Sequence, residues 1–101
     1  MIYVIASIQV KEGKLQEYVD MFKANAKLVR QEKGCVQYIG AVDADSGLPM
    51  QKREKNVMTV LEKWESPDAL REHLVAPHMK AFGEKRKDFV EGATVRVLEE
   101  V

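Results

Sequence analysis

At 101 residues the chain has room for one domain and one core, and a hydrophobic fraction of 46% is that of a folded globular protein rather than a disordered one. Sixteen basic side chains balance sixteen acidic ones, so no global field would draw it to nucleic acid or an anionic membrane, and no apolar run approaches the ~20 residues of a membrane span. The lone Cys35 excludes an internal disulfide and suits a reducing cytosol, and two histidines without paired-cysteine spacing supply metal chemistry poorly.

Met1-Ile2-Tyr3-Val4 enters a strand pattern directly, without the basic region and cleavage site of a leader, so a cytoplasmic location is expected. Ile2 to Val10 is almost continuously apolar or β-branched and reads as the first strand, closed by Gly13. Leu15, Tyr18, Val19, Phe22, Ala26 and Val29 then recur at helical spacing, which predicts a helix over about 13–32, ended by Gly34. Asn25 falls at the edge of that apolar stripe, where its amide either bonds to backbone or is offered to a ligand. Cys35 to Val42 reads as the second strand, and Asp43 to Gly47 as a turn former rather than a metal site. Leu48 to Lys55 either extends the hairpin or forms a loop carrying Lys52, Arg53 and Lys55.

Asn56 to Trp64 reads as the third strand. Ser66 is a suitable N-cap and Pro67 a suitable first helical residue for a helix to about Val75; Pro77 opens another that runs to about Phe89. The Lys85-Arg86-Lys87 run lies between Glu84 and Asp88 and reads as a solvated helix face. Gly92 ends that segment, and Ala93 to Leu98 is the last strand. The order is β-α-β-β-α-α-β, an α+β class with the split βαβ arrangement of ferredoxin-like folds. Strands one and three are apolar on both faces, whereas both helical crossovers of such a fold pack on one face. A second copy of the chain is the simplest cover for the other, so a homodimer is expected.

The chemistry gathers between Glu62 and His78, a stretch holding the only tryptophan and both histidines. Glu62 and Trp64 alternate onto one strand face with Val60. They either meet solvent at an edge or line a pocket under the helices, where an unpaired carboxylate would be costly. His73 follows Ala69 and Leu70 at helical spacing and so points inward, as a hydrogen-bonded core residue or as an acid–base group. His78 opens the next helix, either as a partly exposed terminal histidine or, because protonation is disfavoured there, as an available neutral base or acceptor. Tyr38 and Phe82 are core residues that would also wall any cavity, and Cys35 reads as a small buried hydrophobe. No phosphate loop, serine-nucleophile motif or dinucleotide fingerprint occurs.

The run Glu62-x-Trp64-x-Ser66-x-x-Ala69-Leu70-x-x-His73, then Pro77-His78 and Phe82, resembles the antibiotic biosynthesis monooxygenase family, and Gly34-Cys35-Val36-Gln37-Tyr38 is similar to its glycine-led second strand. The resemblance covers essentially residues 1–101 as a single domain. It implies a dimeric α+β barrel in which two ferredoxin-like sheets pack face to face. It also implies a pocket for a small phenolic or quinol-like molecule that is oxidised by O2 with no flavin or metal cofactor. In that scheme His73 is the base, Trp64 the stacking wall, and Glu62, His78 and Asn25 the orienting groups, with Phe22, Tyr38 and Phe82 around the substrate. Haem-degrading members carry an asparagine in the first strand, whereas Ile5-Ala6-Ser7-Ile8 has none. A branch resembling the autoinducer-2-phosphate isomerase carries a histidine close to where Ala26 stands, beside an asparagine like Asn25. A non-catalytic ligand-binding dimer is the remaining alternative. A flat slot, a polar phosphate-sized pocket or a filled cavity beside Trp64 and His73 would distinguish the three.

Overall fold

A computed structural model describes residues 1–101. Its elements follow the expected order: β1 (Ile2–Val10), α1 (Leu15–Val29), β2 (Cys35–Val42), β3 (Val57–Trp64), α2 (Pro67–Leu74), α3 (Pro77–Arg86) and β4 (Val90–Glu99). The four strands form one sheet in the order β2-β3-β1-β4, with every adjacent pair antiparallel. This is the ferredoxin-like arrangement, with the helices covering one face.

Alternation along the strands sets the core. Val4, Ala6, Ile8 and Val10 of β1 and Met58, Val60, Glu62 and Trp64 of β3 point beneath the helices and are buried. Tyr18, Phe22, Ala26 and Val29 of α1 close over them. α1 is shorter than the periodicity predicts. After Arg30, Gln31 and Glu32 donate to carbonyls three residues back, at Leu28 and Val29, which tightens the chain into a turn. Gly34 completes the reversal at φ 84°, and a Cβ there would lie 2.6 Å from that of Ala69, so the start of α2 packs directly on this turn. Gly40 is bare for a related reason: the Phe22 ring lies where its Cβ would stand, at 2.8 Å.

Ser66 caps α2 by accepting from Ala69 N–H at 3.1 Å, with Pro67 next to it, as expected. β4 is longer than the apolar run suggests, because it pairs with β1 from Ile2↔Glu99 to Val10↔Val90 across a bulge at Gln9/Val10. Residues 43–56 form no strand; the loop closes on itself through Glu54 N–H to Asp43 Oδ2 and Gln51 Nε2 to Ala44 O. The outer sheet face is uncovered within the chain. Ile39, Leu61 and Ile5 lie in one cross-strand row there, with Ile39 and Ile5 exposed and Leu61 half-buried.

Candidate functional site

Strand register brings Tyr38, Glu62 and Val4 into one row on the helix-facing side, and Val4 continues the row to Val97 of β4. α1 passes over β2, but no helix covers the β4 end of the row, and a cavity of about 210 Å3 remains beneath the helices. Phe22, Tyr38, Val60, Phe82, Glu62 and His73 are among its walls. Phe22 and Tyr38 are stacked, 5.4 Å apart at 15°, and form one flat side. The cavity opens where Leu74, Val95 and Val97 are each more than half exposed.

His73 sits on α2 with its ring 4.6 Å from Trp64 and edge-on to Tyr38 at 5.5 Å. Its Nδ1 meets Glu32 at 3.1 Å and 2.9 Å, to Oε1 and Oε2. The ring's hydrogen bonds to protein are made at Nδ1, and no buried side-chain nitrogen or oxygen is left without a partner, so Nε2 is the nitrogen open to the cavity that the ring lines. Glu62 is buried, and its Oε1 accepts from Trp64 Nε1–H at 2.9 Å. Burial pushes its carboxyl above the ordinary carboxylate range; the Trp64 hydrogen bond and positive charge on His73 pull it down, and the Glu32 charge pushes it up. Burial, with the charge of Glu62 next in order, also raises the Tyr38 phenol well above its usual range, so it stays a neutral hydroxyl.

The predicted residues thus fall into three places. His73, Glu62, Tyr38, Phe22 and Phe82 share the cavity. Trp64 is fully buried behind His73 and is not among the cavity walls, because the imidazole lies over its ring. Asn25 and His78 line a separate, open hollow between α1 and α3, where Asn25 Nδ2 faces Met79 Sδ at 3.3 Å. His78 is tied to His73 indirectly: its Nε2 lies 2.7 Å from Glu32 Oε2, the same oxygen that His73 contacts.

Two residues at the site carry no sequence signal of their own. Glu32 stands in a charged turn and is indistinguishable there from a solvated residue. Arg86, read as part of a solvated basic face, instead lines the cavity and donates from Nη1 to the Tyr18 hydroxyl at 3.3 Å. Cys35 is half-buried rather than buried, and burial pushes its thiol up, away from reactive thiolate. No three His, Cys, Asp or Glu side chains converge as metal ligands would.

Comparison with known proteins agrees with this architecture. The profile of the family described as antibiotic biosynthesis monooxygenase matches residues 1–85. The Escherichia coli K12 protein named probable quinol monooxygenase YgiN is 35% identical over 101 residues, spanning 98% of this chain and 97% of that one. A crystal structure of an antibiotic biosynthesis monooxygenase superposes with a TM-score of 0.84 at 20% identity, covering 100% of this chain and 99% of that one. Protein SO0527 from Shewanella oneidensis superposes with a TM-score of 0.83 at 25% identity, covering 98% and 89%.

Proposed function

This chain belongs to the antibiotic biosynthesis monooxygenase family, and on that premise we propose that it oxidises a small phenolic or quinol-like molecule with O2, without flavin or metal. The observation that carries the reading is His73 Nε2, free on a ring that walls an apolar cavity also lined by Glu62. The cavity's size suits one ring: a dry cavity of roughly 150 Å3 holds benzene, and this one is about 210 Å3 with an open mouth. A bulkier substituent would extend past Leu74 and Val95. Walls that are apolar apart from a few convergent groups favour a flat aromatic over a phosphorylated sugar. The quinol in the name of the E. coli relative points the same way.

His73 removes a phenolic proton, leaving an electron-rich anion that can reduce O2 directly. For a quinol with a free ring position, one oxygen atom of O2 bonds to that ring carbon and the other leaves as water. The product is a hydroxyquinone, and all four electrons that O2 accepts come from the substrate. The proton held by His73 goes to the departing oxygen. Tyr38 and the second oxygen of Glu62 orient the substrate hydroxyls, and Trp64 supports both His73 and Glu62 from behind. Oxygen uptake on a panel of reduced quinols, with chelator present and flavin absent, tests the reading. Isotopically heavy O2 should leave one heavy atom in the product. No uptake on any quinol would remove the proposal and leave the isomerase or a binding role.

The proposal includes a homodimer, because the Ile39–Leu61–Ile5 row and its neighbours on the outer face have no cover within the chain. A stable interface of this kind should bury more than roughly 1,000 Å2 in total. Sedimentation at micromolar concentration is expected to give twice the chain mass; a monomer there would rule out the barrel.

A further inference from the structure

Glu32 receives both imidazoles of the protein on one carboxylate, and nothing in the scheme above uses it. We propose that Glu32 is a positioning residue for His73, fixing the ring with Nδ1 as donor and Nε2 free towards the cavity, and stabilising the imidazolium that forms when Nε2 takes the substrate's proton. The inference rests on the reading of His73 as base.

An ionised carboxylate has no proton to give, so each nitrogen facing it must donate. His73 Nδ1, at 2.9 Å from Oε2, therefore carries hydrogen, and in the neutral ring the lone pair belongs to Nε2. His78 Nε2 donates to the same oxygen at 2.7 Å and pins the carboxylate from the opposite helix. The backbone is held equally: Glu32 N–H donates to Val29 O at 3.0 Å, and Cys35 N–H to Glu32 O at 3.1 Å. Exposure grades outward, with side chains 2% exposed at His73, 13% at Glu32 and 23% at His78. The carboxylate is thus sheltered enough for its charge to act strongly on the buried ring. The titratable groups facing His73 are Glu32 from the α1–β2 turn, Glu62 from β3 and Tyr38 from β2, while His78 from α3 reaches it only through Glu32.

The test is Glu32→Gln, which keeps the shape and removes the charge, with Glu32→Asp as a second variant that keeps the charge. Nitrogen NMR of the imidazoles in the substrate-free parent should show His73 as the Nδ1–H tautomer. In a folded Glu32→Gln protein, where a carbonyl oxygen and an amide N–H compete to face Nδ1, the ring should populate both tautomers instead of one. On an active quinol, kcat should fall by ~10²–10⁴-fold with KM little changed. Glu32→Asp should recover part of both effects. An Nε2–H tautomer in the parent would overturn the proposal, as would an unchanged tautomer and kcat in a folded Glu32→Gln protein. A parent with the expected tautomer but no oxygen uptake would overturn the oxidation reading alone, since the NMR arm needs no turnover.

Discussion

Replacing His73 with alanine is expected to lower turnover on an oxidisable quinol by about 10²–10⁴-fold, the usual contribution of a positioned acid–base group. The loss belongs to chemistry if the fold survives, and two contacts bear on that. The ring packs 4.6 Å from Trp64, so truncation leaves a void against the core. Glu32, however, keeps a donor in His78 at 2.7 Å and is not left with an unpaired buried charge. A stability cost of about 1–3 kcal/mol follows, well short of unfolding a domain of ordinary stability. The void is also useful experimentally. Free imidazole is the size of the deleted group and should restore part of the rate in a concentration-dependent way. Activity close to the parent's, with no response to imidazole, would show that the phenolic proton leaves by another route.

The order of elements was legible because each boundary rests on local chemistry: Ser66-Pro67 and Pro77 start helices, and Gly34 reverses the chain. The alternation that placed Val60, Glu62 and Trp64 on one face is equally local, and the burial pattern of β3 follows it residue by residue. The depth of each side chain within that face is not local. The family resemblance implies Trp64 as a stacking wall, yet α2 lays His73 across it, and nothing in residues 62–73 specifies which ring is nearer the cavity. Glu32 shows the same limit more sharply, since its partners stand 41 and 46 positions later. A glutamate between glutamine and lysine after a helix is ordinary surface sequence. The tight packing of Gly34 against Ala69, with the hydrogen bond from Glu65 N–H to Gly34 O at 2.9 Å, draws that turn to the helix carrying His73. Arg86 lies between the exposed Lys85 and Lys87, and one residue of a basic run turned inward has no compositional mark.

Trp64→Ala is expected to be the most destabilising single change at the site, at about 3–5 kcal/mol for an aromatic truncated in a core. Trp64 is 0% exposed, so the void it leaves is not relieved by solvent. A second effect is added: Nε1–H is the donor that meets the buried Glu62 carboxylate at 2.9 Å, and without it that oxygen loses its partner. The two effects separate by pH. Burial already holds the Glu62 carboxyl above its ordinary range, while the Trp64 hydrogen bond pulls it down. The folded state therefore holds this proton more tightly than the unfolded chain does. The associated stability is complete below the unfolded carboxyl's range and is lost as pH rises through the folded one. Removing the Trp64 donor raises the folded value further and deepens that loss. Denaturant unfolding should then show a larger gap between parent and Trp64→Ala at about pH 7 than at about pH 4, where Glu62 is protonated in both. Trp64→Phe keeps much of the ring volume and isolates the hydrogen bond, at about 1–3 kcal/mol, concentrated at the higher pH. A deficit in Trp64→Phe of equal size at both pH values would mean that the tryptophan acts through packing alone, and that Glu62 is held by other means.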